Sequence, residues 1–219
     1  MTRLVMGSQH VRLGSLGPPN TTRTRSRYYD NLMMLLLQFG SNARSVLEVG
    51  CAKTPFLEQA TWIPDRTCVA PYFMDYNAAH LKPGSGSPMP SGGAAISRGT
   101  TSERDRFIGK TNLITADFLE WRPSRTWDVV VCSQVVEHIE DARAFVVKLI
   151  KVARYAIISV PYHWRDEGSL LYQHKQHNIT AAQFLQWASP HRPVTTMIVR
   201  DDTNVHERII MVFSNANHH

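Results

Sequence analysis

Acidic residues are missing from the first 29 positions, where Arg3, Arg12, Arg23, Arg25 and Arg27 all fall. Ser and Thr are frequent in the same stretch, and Gly14, Gly17, Pro18 and Pro19 break any helix. Residues 1–25 therefore read as a flexible basic segment, with a basic arm on nucleic acid or an organelle-targeting peptide as alternatives. No amphipathic helix shows there, which weighs against targeting. Cysteine is scarce too. Cys51, Cys68 and Cys132 are odd in number and widely spaced, which argues against a disulfide framework and against a zinc site. Each sits in an apolar stretch and is expected to be a small, buried, unpaired hydrophobe in a reducing compartment, the cytoplasm. Long apolar runs are absent. The longest, residues 32–39, falls far short of the roughly 18 residues a bilayer span needs, so no membrane association is expected.

What remains is an ordinary globular composition. The chain has 219 residues, 43% of them hydrophobic and 19% charged, with a net charge of +6. That suits one domain with a sizeable core and a mild preference for acidic partners. Residues 26–40 read as a helix stopped by Gly40. Short apolar runs at 45–49, 112–116, 127–132 and 155–160 read as buried strands, the last stopped by Pro161. Residues 67–74 are β-prone but interrupted by Pro71, which suggests an edge strand or a bulge. Residues 55–60 and 141–153 read as helical. Thr180 is placed to cap a helix running to about residue 187. Residues 194–199 and 208–213 flank a turn-prone Asp201-Asp202-Thr203-Asn204 and read as a hairpin. A Gly/Ser/Pro-rich stretch at about 78–110 reads as a long insertion in a domain spanning 26–219. Strands alternating with helices predict an α/β fold, a doubly wound, mostly parallel sheet with an antiparallel strand in the closing pair.

In such a sheet, ligands bind beyond the carboxyl ends of the strands, and four strand ends carry chemistry. After the first strand comes Glu48-Val49-Gly50-Cys51-Ala52-Lys53-Thr54. A glycine there lets the backbone turn sharply and approach a ligand, and Glu48 can accept hydrogen bonds from one. A dinucleotide loop would want three glycines, and Ala52 and Thr54 stand at the other two positions, which argues against a nicotinamide cofactor. Asp75, followed by Tyr76, is placed to hold ribose hydroxyls. Ala116-Asp117-Phe118 pairs an acid with an aromatic, a combination suited to an adenine. Residues 127–132 then run directly into Ser133-Gln134-Val135-Val136-Glu137-His138, a costly place for ionisable groups unless they pair or face a cleft.

The order Val-Leu-Glu-Val-Gly-Cys-Ala, Asp, Ala-Asp-Phe, Trp-Asp-Val-Val-Val-Cys-Ser-Gln-Val-Val-Glu-His-Ile-Glu-Asp and Ile-Ser-Val-Pro resembles the class I S-adenosylmethionine-dependent methyltransferases over about residues 26–213. The resemblance implies a Rossmann-like seven-stranded sheet whose last strand is antiparallel. It also implies roles. Glu48 and the backbone of Gly50, Cys51 and Ala52 would hold the methionine end of S-adenosylmethionine. Asp75 and Tyr76 would hold its ribose, Asp117 and Phe118 would frame its adenine, and Ser133 and Gln134 would floor the site beside the sulfonium. Thr54 followed by Pro55 departs from the usual loop.

Methyl transfer to an oxygen or a nitrogen profits from a base. Glu137, His138, His163 and His177 are the candidates, with His174 in the same loop as His177. Gln134-Val-Val-Glu137-His138 also resembles the Glu-x-x-Glu-His of small-RNA 2′-O-methyltransferases and ubiquinone-pathway O-methyltransferases, whose carboxylates and histidines hold a divalent metal. Gln134 replaces the first carboxylate and removes a charge, so no metal ligand is assigned. The expected acceptor is a small molecule. The basic arm leaves RNA as the alternative, and a catalytically silent S-adenosylmethionine-binding protein is the other.

Overall fold

A computed structural model describes residues 27–51, 56–71, 111–164, 174–200 and 207–215. Three α-helices occur among them: α1 (Arg27–Gly40), α2 (Ala142–Lys151) and α3 (Ala181–Ala188). Seven strands follow in chain order: β1 (Ser45–Val49), β2 (Asp65–Ala70), β3 (Thr111–Thr115), β4 (Trp127–Ser133), β5 (Ala153–Tyr162), β6 (Pro193–Arg200) and β7 (Glu207–Ser214). None of the described helices is long and apolar enough to cross a membrane.

The strands form one sheet in the order β3-β2-β1-β4-β5-β7-β6. Neighbours from β3 to β5 run parallel, and β7 lies antiparallel between β5 and β6. The α/β architecture and its one reversed strand are as the sequence reading expected. β1 and β4 are adjacent, yet the chain leaves them toward opposite edges, which opens a crevice above their carboxyl ends.

Helices cover both faces. In α1 the buried Tyr28, Leu32, Leu35 and Leu36 recur at helical spacing and pack on Val46, Val129, Val131, Ile157 and Ile210. On the other face, Phe145, Val146, Leu149 and Ile150 of α2 and Phe184 of α3 pack on Val130, Ile158 and Phe213. Local capping sets the helix starts. Asp141 accepts from the Ala144 N–H at 2.9 Å, and the Thr180 hydroxyl accepts from the Gln183 N–H at 3.1 Å.

Two strand ends differ from expectation by more than one residue at a proline. β2 begins at Asp65 and ends at Ala70, before Pro71, so an interior strand between β1 and β3 never has to accommodate the missing N–H. β5 instead runs through Pro161 to Tyr162. Its pairing with β4 ends at Ser133↔Ser159, so beyond that point β5 has only β7 beside it, and an edge-like position tolerates proline. The helix expected at 55–60 is a short 3₁₀ turn, Phe56–Gln59. The basic segment 1–25 and the insertion at about 78–110 lie outside the described residues.

At the amino edge, Asp128 ties β4 to β1. Its Oδ2 accepts from the N–H groups of Arg44 and Ser45 at 2.7 and 2.9 Å, and its own N–H donates to the Ser45 hydroxyl at 3.0 Å. Asp128→Ala is expected to lower stability by about 1–3 kcal/mol in denaturant unfolding while leaving S-adenosylmethionine binding unchanged, because it orphans two donors at the edge away from the crevice.

Candidate active site

Gly50 turns the chain at the end of β1. Its φ is +86°, a left-handed conformation that L side chains rarely adopt, and its N–H donates to the Val69 carbonyl at 2.9 Å. A Cβ here would stand 2.3 Å from Cγ2 of Val135. The loop after β1 and the loop after β4 therefore touch at a point where only glycine fits. Glu48, two residues earlier and 5% exposed, accepts from the N–H groups of Phe56 and Leu57, both at 3.2 Å. The carboxylate thus closes the loop of which Gly50 is the first turn. Ala52, Asp75 and Tyr76 lie outside the described residues.

Cys51 departs from expectation. It stands beside Cys68, with the two Cα atoms 6.2 Å apart, a span that a disulfide can bridge, so the two are a potential pair and not isolated thiols. The reason is topological: β1 and β2 are sheet neighbours, and the turn at Gly50 brings the next residue back over β2. Cys132 remains a buried free thiol, as expected.

Asp117 follows β3, is exposed, and accepts from the Leu119 N–H at 2.8 Å. The Phe118 ring is 4% exposed and packs in the core against Phe145, with centroids 5.2 Å apart. At the end of β4, Ser133 receives the Tyr28 hydroxyl at 2.7 Å, and the same hydroxyl also bonds the Ser159 hydroxyl of β5. Burial pushes the Tyr28 phenol well above its usual range. Gln134 adopts φ 55°, donates its N–H to the Ser159 carbonyl at 3.1 Å, and sends its side-chain amide to the Ser159 hydroxyl at 3.4 Å. Tyr28 thereby pins the carboxyl ends of β4 and β5 together from α1.

Glu137 lies on a one-turn 3₁₀ segment, Val136–His138. It is 1% exposed, and its Oε2 is buried without a hydrogen-bond partner among the described residues. Burial raises its carboxyl from an ordinary 4.5 to about 8, against smaller lowering effects of its own backbone hydrogen bond and of Arg208. Ligand atoms of Glu137, His138 and His174 lie within 4.8 Å of one another. The rings of His138 and His174 meet edge to face with centroids 4.9 Å apart. The Glu137 carbonyl accepts from the N–H groups of Lys175 and Gln176 at 2.7 and 3.0 Å, which docks the later loop on this turn and brings His174 in.

His163 and His177 fall outside this trio. Both are exposed, and His163 meets Tyr162 edge to face with centroids 4.1 Å apart. The histidine that joins Glu137 is His174, three positions before His177. Arg208 is a neighbour that sequence reasoning missed. Its guanidinium lies 4.8 Å from the Tyr28 ring centroid and 5.4 Å from that of Trp164. An arginine inside an apolar strand gives no local sign of facing a crevice.

The methyltransferase-domain family matches residues 21–197. The chain belongs to that family. Its motif order and its sheet with a reversed β7 make it a class I, S-adenosylmethionine-dependent methyltransferase. No curated protein matches it in sequence. Among solved structures it is similar to the N-methyltransferase NodS of Bradyrhizobium japonicum WM9 in complex with S-adenosyl-L-homocysteine. That match has a TM-score of 0.59 and 14% identity, covering 92% of this chain and 94% of that one. The magnesium protoporphyrin IX methyltransferase of Synechocystis PCC 6803 with bound S-adenosyl-L-homocysteine gives 0.58 and 16%, covering 86% and 82%. The 4+2 cyclase SpnF gives 0.57 and 10%, covering 85% and 80%. At these identities the likeness is one of fold.

Gly50→Ala is expected to abolish or weaken S-adenosylmethionine binding by at least tenfold in calorimetry, because the added Cβ must displace Val135. Glu137 also makes stability depend on pH. Above pH 4.5 the unfolded chain gives up this proton, while the folded chain keeps it until about pH 8. Its contribution is therefore fully present in acid and is lost as pH rises from 4.5 to about 8. His138, His174, Arg208 and the Cys132 thiol are the other charged or titratable groups around it. Thermal unfolding of the metal-free protein between pH 5 and 8.5 should show a decline that Glu137→Gln flattens. Equal slopes in the two proteins would refute it.

Proposed function

We propose that the protein methylates an oxygen or nitrogen of a small-molecule acceptor held above Glu137, His138 and His174, at the carboxyl end of β4. The single observation behind this is the buried Glu137 carboxyl, whose Oε2 has no hydrogen-bond partner among the described residues and which two imidazoles adjoin. A carboxyl raised to about 8 becomes a proton acceptor as the pH nears that value, and the adjoining imidazoles can accept below it, which is what a hydroxyl or ammonium acceptor requires before attack. S-adenosylmethionine, when bound, supplies a methyl group on a sulfonium and thus an electrophile that needs no further activation.

The residues fit that cofactor: Gly50 leaves a cradle that any Cβ would fill. The backbone at Gly50–Ala52 and the Glu48 carboxylate would take the methionine end. Asp75 and Tyr76 would take the ribose, and Asp117 and Phe118 would border the adenine. Ser133 and Gln134 would floor the site, held rigid by Tyr28 and Ser159. Rigid placement matters because in-line transfer draws much of its acceleration from orientation. His138 or Glu137 would receive the acceptor's proton, with His163 and His177 farther along the rim.

A second reading adds a divalent cation, favoured by the convergence of Glu137, His138 and His174. The orphaned Oε2 and two imidazoles make a mixed oxygen and nitrogen donor set that suits a transition-metal ion. Gln134 does not join it; its amide is directed to Ser159 instead. RNA, reached through the basic residues 1–25, is the alternative acceptor. A cytoplasmic location suits all of these readings.

Incubation with methyl-labelled S-adenosylmethionine and separate small-molecule and RNA fractions of a cell extract distinguishes the acceptors. Label is expected in the small-molecule fraction; label in RNA alone would reject it. Glu137→Gln is expected to reduce kcat about 10²-fold or more with little change in cofactor affinity. Calorimetric titration of Mn²⁺ or Zn²⁺ into wild type and His174→Ala decides the second reading. Binding that the substitution abolishes supports a cation, and no binding to the wild type rejects it.

A further inference from the structure

We propose that Cys51 and Cys68 form a redox latch, and that their disulfide holds the cofactor loop in its binding conformation. The latch rests on the placement of the cofactor against the loop from Glu48 to Cys51. In the β1–β2 register Glu48 stands opposite Cys68. Were β1 to continue straight, Cys51 would lie roughly 10 Å further along, out of bonding reach. The left-handed turn at Gly50 and its N–H bond to Val69 reverse that course. The Cα atoms come to 6.2 Å, within the span a disulfide bridges, and the two sulfurs meet.

The pair stands apart from both main cores. Among the described residues it clusters with Ala70 and the half-buried Leu113. Bonding it therefore changes the tether on the loop without disturbing the packing under α1 or α2. Its members are unequal: Cys51 is 4% exposed and Cys68 fully enclosed. Cys132 is enclosed elsewhere, and burial together with Glu137 and Glu48 pushes its thiol well up, so it stays a thiol.

The chemistry balances with a low-molecular-weight disulfide as oxidant. The Cys51 thiolate attacks one of its sulfurs and expels the first small thiol. Cys68 then attacks the Cys51 sulfur of the mixed disulfide and expels the second. Two protein thiols lose two electrons and two protons, and the small disulfide becomes two thiols. In a reducing compartment the dithiol is the resting form. There the cofactor itself must order the loop, and the ordering cost weakens its binding. Linkage is reciprocal: if the bond tightens cofactor binding by some factor, saturating cofactor favours the bond by the same factor.

The test uses the full wild-type chain equilibrated in graded mixtures of reduced and oxidised glutathione. Thiols are counted by alkylation and mass spectrometry, and S-adenosylmethionine affinity is measured by calorimetry. Oxidation is expected to protect two of the three cysteines, with the bond mapped to Cys51 and Cys68. The oxidised protein should bind about fivefold or more tightly, and saturating cofactor should shift the redox midpoint by that factor. Cys68→Ala should bind as the reduced wild type does, whatever the oxidant. Three reactive thiols after oxidation, or a bond that leaves affinity unchanged, would overturn the latch. If Gly50→Ala loses binding while both redox forms bind equally, the latch fails and the loop's role stands. If neither form binds, both fall.

Discussion

Position 50 has room for no side chain, and the crevice is built around that restriction. β1 and β4 are neighbours in the sheet, but the chain departs from them in opposite directions, so their loops diverge. The place where the loops still meet is Gly50 against Val135. On one side of this contact the chain continues into the stretch that Glu48 closes by bonding Phe56 and Leu57. On the other it continues into the turn that carries Glu137 and His138. A single backbone conformation thus ties the part suited to a cofactor to the part suited to an acceptor. A bulkier residue would separate the two.

Two buried glutamates near this contact show how structural and reactive acids differ. Glu48 and Glu137 are 5% and 1% exposed. Both oxygens of Glu48 accept backbone N–H groups, so its burial is compensated by a closed loop. Glu137 has an oxygen that accepts nothing and a carboxyl raised to about 8. Leaving a buried acceptor unpaired costs on the order of 1–3 kcal/mol. A glutamine would fill nearly the same volume and add a donor. The local structure nevertheless spends two backbone donors, those of Lys175 and Gln176, on holding this turn in place. An arrangement that is poor for stability but well held is what a reactive group needs.

The strands were legible wherever apolar runs were dense. Residues 45–49 coincide with β1, and 127–132 miss β4 by one residue. The closing hairpin was legible because no helix separates its two runs. Proline misled at positions 71 and 161, since its effect depends on whether a neighbour strand needs the missing N–H, and that is a fact of topology. Cysteine misled for a similar reason. A separation of 17 residues says nothing until β1 and β2 are known to be adjacent and the Gly50 turn to fold back. The order of acids and polar turns along the chain marked the crevice. Which histidine meets Glu137 was not marked, because backbone bonds from Lys175 and Gln176 decide it. Tyr28 and Arg208 act across the sheet on residues far away in sequence, and no local pattern announces such contacts.

The fold alone leaves the chemistry open, since a cyclase shares it at a TM-score of 0.57. Family membership narrows the choice, and the distribution of polar groups narrows it further. A protein that only held S-adenosylmethionine would need the Gly50 turn, the closed loop under Glu48 and the strand-end acids. It would have no use for a carboxyl with an unpaired oxygen sunk beside two histidines, and it would gain stability by losing it. Cofactor retention and methyl transfer thus make separate demands on the sequence. In the proposal made above, the Glu48 side of the Gly50–Val135 contact would meet the first and the Glu137 side the second.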